Sequence, residues 1–206
     1  MPQYVYPPRP TSKMRPVDLG PKEASGMYLA QRKFNGKRCV SLIESRTTVH
    51  LGNRHGGWYS QSKNRQLRSE LLRLKLPNDG SHRLDGELLG SGILVLFDVL
   101  QIGQPLIGTK QTERLLLLDR ICGNPTGHSE IAHEGVPLAL QVSDHIWLAE
   151  RWFSDFRAHF DECIDHDLIE GLVLRESDSM LDNYGAVEYE VDWQIRVRKP
   201  SKSYRH

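Results

Sequence analysis

The sequence predicts an α+β fold built mainly from antiparallel sheets flanked by helices, and three observations carry that prediction. Strand-like segments come in pairs around glycine turns: Tyr28 to Ile43 around Asn35-Gly36, and Arg83 to Leu100 around Gly90-Ser91-Gly92. Ile93-Leu94-Val95-Leu96-Phe97 is an unbroken apolar run, as expected of a strand buried on both faces. Helical periodicity is confined to a few separate stretches, so strand–helix–strand crossovers are few.

In order along the chain, residues 1–26 carry Pro7-Pro8-Arg9-Pro10, Pro16 and Pro21, which predicts an extended arm laid on the surface. Alternation through Tyr28, Ala30 and Arg32, then Cys39 to Ile43, predicts a hairpin closed by Asn35-Gly36. Thr47 to Leu51 reads as a strand leading into a glycine-rich turn, Gly52-Asn53-Arg54-His55-Gly56-Gly57. Ser62 to Leu76 repeats Leu67, Leu71, Leu72 and Leu74 among polar residues, as an amphipathic helix does. Thr109 to Ile121 reads as a helix, Gly123 to Gly135 as loop and Leu138 to Val142 as a strand. His145 to Phe160 reads as a helix, with Ile146, Ala149, Trp152, Phe153 and Phe156 on one side. Ile169 to Arg175 and Glu188 to Lys199 supply the last strands. The predicted organisation is an arm (1–26), one domain (27–200) and a short tail (201–206).

Composition narrows the function classes. Lys+Arg 27 against Asp+Glu 26 gives a net charge of +1, so any nucleic-acid surface must be a local patch. Cys39, Cys122 and Cys163 are far apart and lack CxxC spacing, which predicts reduced, packed thiols and neither disulfides nor a zinc site. The amino terminus is polar and proline-bearing, and no apolar run is long enough to span a bilayer, which predicts a soluble intracellular protein. The nine histidines show no ligand spacing.

Candidate chemistry gathers around Lys33-Phe34-Asn35-Gly36-Lys37-Arg38. Asp85-Gly86-Glu87, Phe97-Asp98, Glu170-Gly171-Leu172-Val173 and Arg196-Val197-Arg198-Lys199 follow it in that order. The set resembles the covalent nucleotidyltransferases, the family of polynucleotide ligases and mRNA capping enzymes, across about Tyr6 to Pro200. The family's first motif is Lys-x-Asp-Gly-x-Arg, and Asn35 stands here for its aspartate.

The resemblance implies a ligase-type (ATP-grasp-like) nucleotidyltransferase fold and an ATP-dependent DNA ligase adenylation domain of phage or bacterial type, acting in the cytoplasm. Lys33 would be the nucleophile that forms lysyl-AMP, attacking the α-phosphorus as the neutral amine. Arg38 would reach a ribose hydroxyl or phosphate, Glu87 would accept from ribose hydroxyls, and Phe97 would stack on the purine. Arg54 would face phosphate, and Glu170 would serve Mg²⁺ or Mn²⁺. Gln31 shares a strand face with Lys33 and has an amide able to read the amino edge of adenine. Arg32, Arg196, Arg198 and Lys199 are the cations available near Lys33.

The last motif departs from the family's Lys-x-Lys. Either Arg196 and Arg198 take the two positions or Lys199 takes one, and arginine cannot give up a proton. The resemblance also implies an OB-fold beyond this domain, so a partner supplying a lid is expected, with nicked nucleic acid as substrate and a monomeric state. RNA ligase, GTP-dependent capping and a nucleotide-binding module without turnover are the alternatives.

Overall fold

The computed structural model describes residues 2–45, 47–128, 132–133, 136–162, 165–183 and 185–200. The tail 201–206, Cys163 and part of the expected loop Gly123 to Gly135 lie outside them. The strands are β1 (Arg9–Met14), β2 (Tyr28–Phe34), β3 (Lys37–Ser45), β4 (Thr48–Asn53), β5 (Ser81–Leu88), β6 (Leu94–Pro105), β7 (Ala132–His133), β8 (Val136–Pro137), β9 (Leu140–Gln141), β10 (Ile146–Leu148), β11 (Ile169–Glu176) and β12 (Glu190–Arg198). The helices are α1 (Leu19–Ala24), α2 (Arg65–Leu71), α3 (Gln111–Ile121) and α4 (Phe156–Asp161).

Two sheets carry the fold, one of four strands in the order β1-β12-β11-β2 and one of six in the order β4-β3-β5-β6-β10-β9. Pairing is antiparallel except for β1 with β12 and β10 with β6. This is the expected α+β class. Each sheet buries one face under helices. Leu67, Leu71, Leu118 and Ile121 of α2 and α3 pack on Cys39, Leu51, Leu84 and Leu96 of the larger sheet. Leu19, Phe156 and Phe160 of α1 and α4 pack on Tyr28, Ala30, Leu172, Leu174, Ile195 and Val197 of the smaller one. Burying each of these large side chains contributes roughly 1.5–3 kcal/mol, so the two outer faces are firmly fixed. The two inner faces are left to line a cleft.

Four sequence expectations change. The segments around Asn35-Gly36 are not a hairpin: β2 pairs with β11, while β3 pairs with β4 and β5. Neither Asn35 nor Gly36 has positive φ, so the dipeptide does not form the tight turn that its chemistry permits. Asn35 is held instead by the Leu168 carbonyl, which accepts from its backbone N–H at 2.7 Å, and the Asp167 carbonyl, which accepts from its amide at 3.1 Å. Gly36 passes so close to β5 that a Cβ there would lie 2.6 Å from the Leu88 carbonyl oxygen.

The stretch 145–160 is a strand and a short helix, not one helix. Ile146, Trp147 and Leu148 are all buried, and an apolar run of that length suits a two-face-buried strand as well as a helix. The free edge of β6 decides for the strand. Asp155, with φ 58°, then starts α4, whose first N–H groups donate to the Glu23 carboxylate at 2.8 and 2.9 Å.

The arm is not extended throughout. It contributes β1 and α1 and buries Tyr4, Val5 and Leu19. The helix expected over 62–76 is limited to α2, because Asn64 is left-handed and the chain after Leu72 turns away. Cys39 and Cys122 are buried free thiols, and burial pushes both up to about 12.

Candidate active site

The cleft between the inner faces has a volume of about 670 Å³. Its smaller-sheet wall is a lattice set by strand register. Gly171 of β11 lies between Lys33 of β2 and Arg198 of β12. Val173 lies between Gln31 and Arg196, and Arg175 between Leu29 and Gln194. Alternation sends Gln31, Lys33, Val173, Arg175, Gln194, Arg196 and Arg198 toward the cleft and Ala30, Leu172, Leu174, Ile195 and Val197 into the core behind.

Glu170 enters the cleft by an irregularity. Ile169 faces Phe34 and Gly171 faces Lys33, so Glu170 is an extra residue on β11, a bulge that re-aims its side chain. Gly171 has φ +135°, and a Cβ there would overlap the Val197 carbonyl oxygen. Glu170 Oε2 lies 2.7 Å from Lys33 Nζ and 3.1 Å from the Arg198 guanidinium. Phe97 sits on a second bulge. Asp85 faces Asp98 and Gly86 faces Leu96, leaving Phe97 as the extra residue on β6.

Leaving aside Arg32, whose guanidinium is held elsewhere, the lining holds eight lysines and arginines against two carboxylates, Glu87 and Glu170, a basic patch in a nearly neutral chain. Behind Phe97 runs a buried network. Arg38 donates to both oxygens of Asp85, through Nε at 3.0 Å and through Nη2, which also donates to the Pro8 carbonyl at 2.9 Å. Arg114 donates to both oxygens of Asp98 at 3.0 and 3.1 Å. Arg175 stands 3.6 Å from Asp98, and the guanidiniums of Arg38 and Arg175 lie 5.7 and 5.2 Å from the Phe97 ring centre. Burial pushes Arg175 down to about 10, against the pull of Asp98 and Asp85. Burial likewise raises Glu87 to about 7, although Lys33 and Arg38 oppose the shift.

Gln31, Lys33, Arg38, Arg54, Glu87, Phe97, Glu170, Arg196 and Arg198 all line this cleft. Arg54 sits on the turn that Asn53 builds by accepting from the His55 and Gly57 N–H groups at 2.8 and 3.2 Å. Lys199 does not line it. Its Nζ donates to the His166 carbonyl at 2.9 Å, so Arg196 and Arg198 are the cleft-facing pair of β12. Arg32 offers Lys33 no charge. Its side chain is 2% exposed, and its guanidinium is held by the Pro137 and Leu138 carbonyls, Glu150 and Glu162. The sequence pattern singles out neither Arg175 nor Gln194, although period-two alternation puts Gln194 on the face of Arg196 and Arg198 in β12 and Arg175 on the face of Val173 in β11. Among the described residues no group of three or more His, Cys, Asp or Glu is placed to hold a metal, and no helix is long and apolar enough to cross a membrane.

No family model and no curated protein matches the sequence. Solved structures do. The ligase domain of M. tuberculosis LigD aligns with TM-score 0.63 and 19% identity over 93% of this chain and 59% of that one. Mycobacterial DNA ligase D complexed with ATP aligns with TM-score 0.61 and 17% identity over 94% of this chain and 60% of its own. The fold is that of a ligase nucleotidyltransferase domain. A Lig E DNA ligase, described as binding DNA with a minimal scaffold, aligns at TM-score 0.52 and 14% identity over 94% of this chain and 69% of that one. The ligase-type domain seen here thus spans about three-fifths of the two ligase D chains.

Proposed function

We propose that the cleft is the adenylation site of an ATP-dependent DNA ligase, with Lys33 as nucleophile. The observation that carries this is the row Lys33–Glu170–Arg198, a lysine and its acceptor carboxylate in a cationic cleft that Phe97 also lines.

In this reading the neutral Lys33 Nζ attacks the α-phosphorus of ATP. The N–P bond forms as the bond to the bridging oxygen breaks, and pyrophosphate leaves with that electron pair. Glu170, 2.7 Å from the amine, is positioned to accept its proton. Arg196 and Arg198 offset the charge gathering on the α-phosphate, an electrostatic contribution that a water-poor cleft strengthens. Glu87 and Arg38 lie beside the ribose, with Arg38 held in place by Asp85. AMP then passes from Lys33 to a 5′-phosphate, and a 3′-hydroxyl displaces it to seal the strand. The basic rim, including Arg54, would hold the nucleic-acid backbone.

The donor set also fits a divalent cation. One carboxylate, Glu170, with Glu87 near enough to interact with it electrostatically, suits a magnesium ion that keeps waters and binds substrate phosphates. Bound there, such an ion would offset phosphate charge as a Lewis acid.

The test is incubation with Mg²⁺ and α-labelled ATP or GTP. Acid-labile label from ATP, absent in Lys33→Ala, is the expected result. Label from GTP alone would reassign the site to guanylyl transfer, and a nicked duplex already adenylated at its 5′-phosphate tests sealing separately. A binding module without turnover is the second reading, favoured by Lys199 lying outside the cleft; neither label nor sealing would establish it over the first.

A further inference from the structure

The stretch Tyr4 to Pro10 of the arm passes from the larger sheet to the smaller one, and Arg9 and Pro10 reach the cleft lining. At its start, Tyr4 and Tyr6 press on the end of β4 and on the turn that carries Arg54. A Cβ at Gly52 would lie 2.5 Å from the Tyr4 ring, and one at Gly56 would lie 2.5 Å from the Tyr6 hydroxyl. Tyr6 also bridges Gly185, donating its N–H to that carbonyl at 2.8 Å, and a Cβ at Gly185 would overlap the Tyr6 carbonyl oxygen. At its other end the arm becomes β1 and runs parallel to β12. Pro7 and Pro8, between these anchors, are buried; proline has no N–H to leave unpaired there and fixes its own φ.

The arm presents one carbonyl to the site. The Pro8 oxygen accepts from Arg38 Nη2 at 2.9 Å, on a guanidinium that Asp85 already grips through Nε and Nη2. A carboxylate alone acts as a hinge, because the guanidinium plane can tilt about the line joining its two oxygens. A third acceptor on a separate element fixes that plane. Among the described residues these bonds engage three of the five N–H donors, and the two on Nη1 remain for a ligand in the cleft that Arg38 lines.

We propose that the arm is a positioning element for Arg38. Docked on Gly56 and Gly185, it holds the Pro8 carbonyl where it sets the guanidinium plane toward a bound nucleotide. This rests on the cleft being a nucleotide site. The Pro8 carbonyl acts through Arg38 and touches no reacting atom.

The experiment is a pair of measurements on the full chain, with EDTA present so that no transfer occurs. The first is calorimetric ATP binding to the unmodified protein, Gly185→Ala, Arg38→Lys and the double variant, each checked for cooperative melting. Gly185→Ala displaces the arm from outside the cleft lining and is expected to weaken ATP binding about ten-fold. In the Arg38→Lys background, whose point-like ammonium has no plane to set, the same change should cost less than about two-fold. Losses that add, or no loss from Gly185→Ala, would overturn the role, since a merely loosened arm would act alike in both backgrounds.

The second measurement holds even if Gly185→Ala fails to fold. By reciprocity, ATP must stabilise arm docking by the factor through which docking strengthens ATP binding. Saturating ATP should therefore slow hydrogen exchange of the Tyr6 amide about ten-fold in the unmodified protein and less than about two-fold in Arg38→Lys. No slowing in the unmodified protein, or equal slowing in both, would overturn the positioning role and leave the nucleotide site standing. An unmodified protein that binds no ATP would overturn both.

Discussion

Lys33 Nζ and Glu170 Oε2 meet at 2.7 Å because one extra residue on β11 turns the carboxylate into the cleft beside a lysine of the neighbouring strand. Without the bulge, alternation would put residue 170 on the face opposite Gly171, in the core with Leu172. The pairing is therefore a product of strand register and not of sequence proximity. If Glu170 receives the amine proton, Glu170→Gln should lower the rate of label transfer to Lys33 by about 100-fold while leaving the circular dichroism spectrum unchanged. A rate within a few-fold of the original would remove Glu170 from that role.

Gly171 makes the bulge possible. With φ +135° and the Val197 carbonyl against its α-carbon, no L side chain fits. Gly171→Ala is expected to destabilise the fold by about 3 kcal/mol or more, read as a drop in the urea midpoint. The strand pair β11–β12 should lose amide-exchange protection first.

Glu87 sets a pH dependence. Burial holds its folded-state value at about 7, above the ordinary 4.5 that the unfolded chain retains. Between those values the native protein keeps a proton that the unfolded chain has released, so stability falls as pH rises from about 4.5 to about 7 and is flat above that. The loss is at most about 3 kcal/mol. Glu87→Gln should flatten that segment of the stability–pH curve and be more stable than the original protein at pH 8. An unchanged slope in denaturant titrations across this range would contradict the assignment.

Arg114 and Asp98 are both almost completely buried and doubly hydrogen-bonded. Arg114→Ala would leave Asp98 as a buried charge whose nearest remaining cation, Arg175, stands 3.6 Å away. A loss of roughly 3–5 kcal/mol is expected, detectable by thermal melting.

Lys199 and Arg196 separate the two registers of the last basic motif. Because Lys199 donates to the His166 carbonyl outside the cleft lining, Lys199→Ala should change ATP affinity by less than about two-fold. Arg196→Ala removes a guanidinium from the cleft wall; if that group binds phosphate by a charge-assisted hydrogen bond, as proposed, the change should weaken binding by about ten-fold. The reverse order in calorimetry would restore Lys199 to the phosphate site.

The sequence by itself determined what depends on neighbours along the chain. Period-two alternation placed Gln31 with Lys33 and Arg196 with Arg198 on shared faces, and the apolar run before Phe97 marked a buried strand. The hairpin Arg83 to Leu100 was legible for the same reason, since its two strands and their turn are contiguous. Tertiary structure decided everything that needed a partner from elsewhere. Asn35-Gly36 carries the local chemistry of a hairpin, yet the Leu168 and Asp167 carbonyls capture Asn35 and send β2 and β3 into different sheets, opening the cleft between them. The run at Ile146 became a strand because β6 offered it an unpaired edge. The bulges that aim Glu170 and Phe97 arise where two distant strands are forced into register, and Arg32 and Lys199 were drawn from the site by distant carbonyls and carboxylates. A hydrogen bond is satisfied by whichever acceptor the fold brings within about 3 Å, and sequence patterns carry only the local candidates.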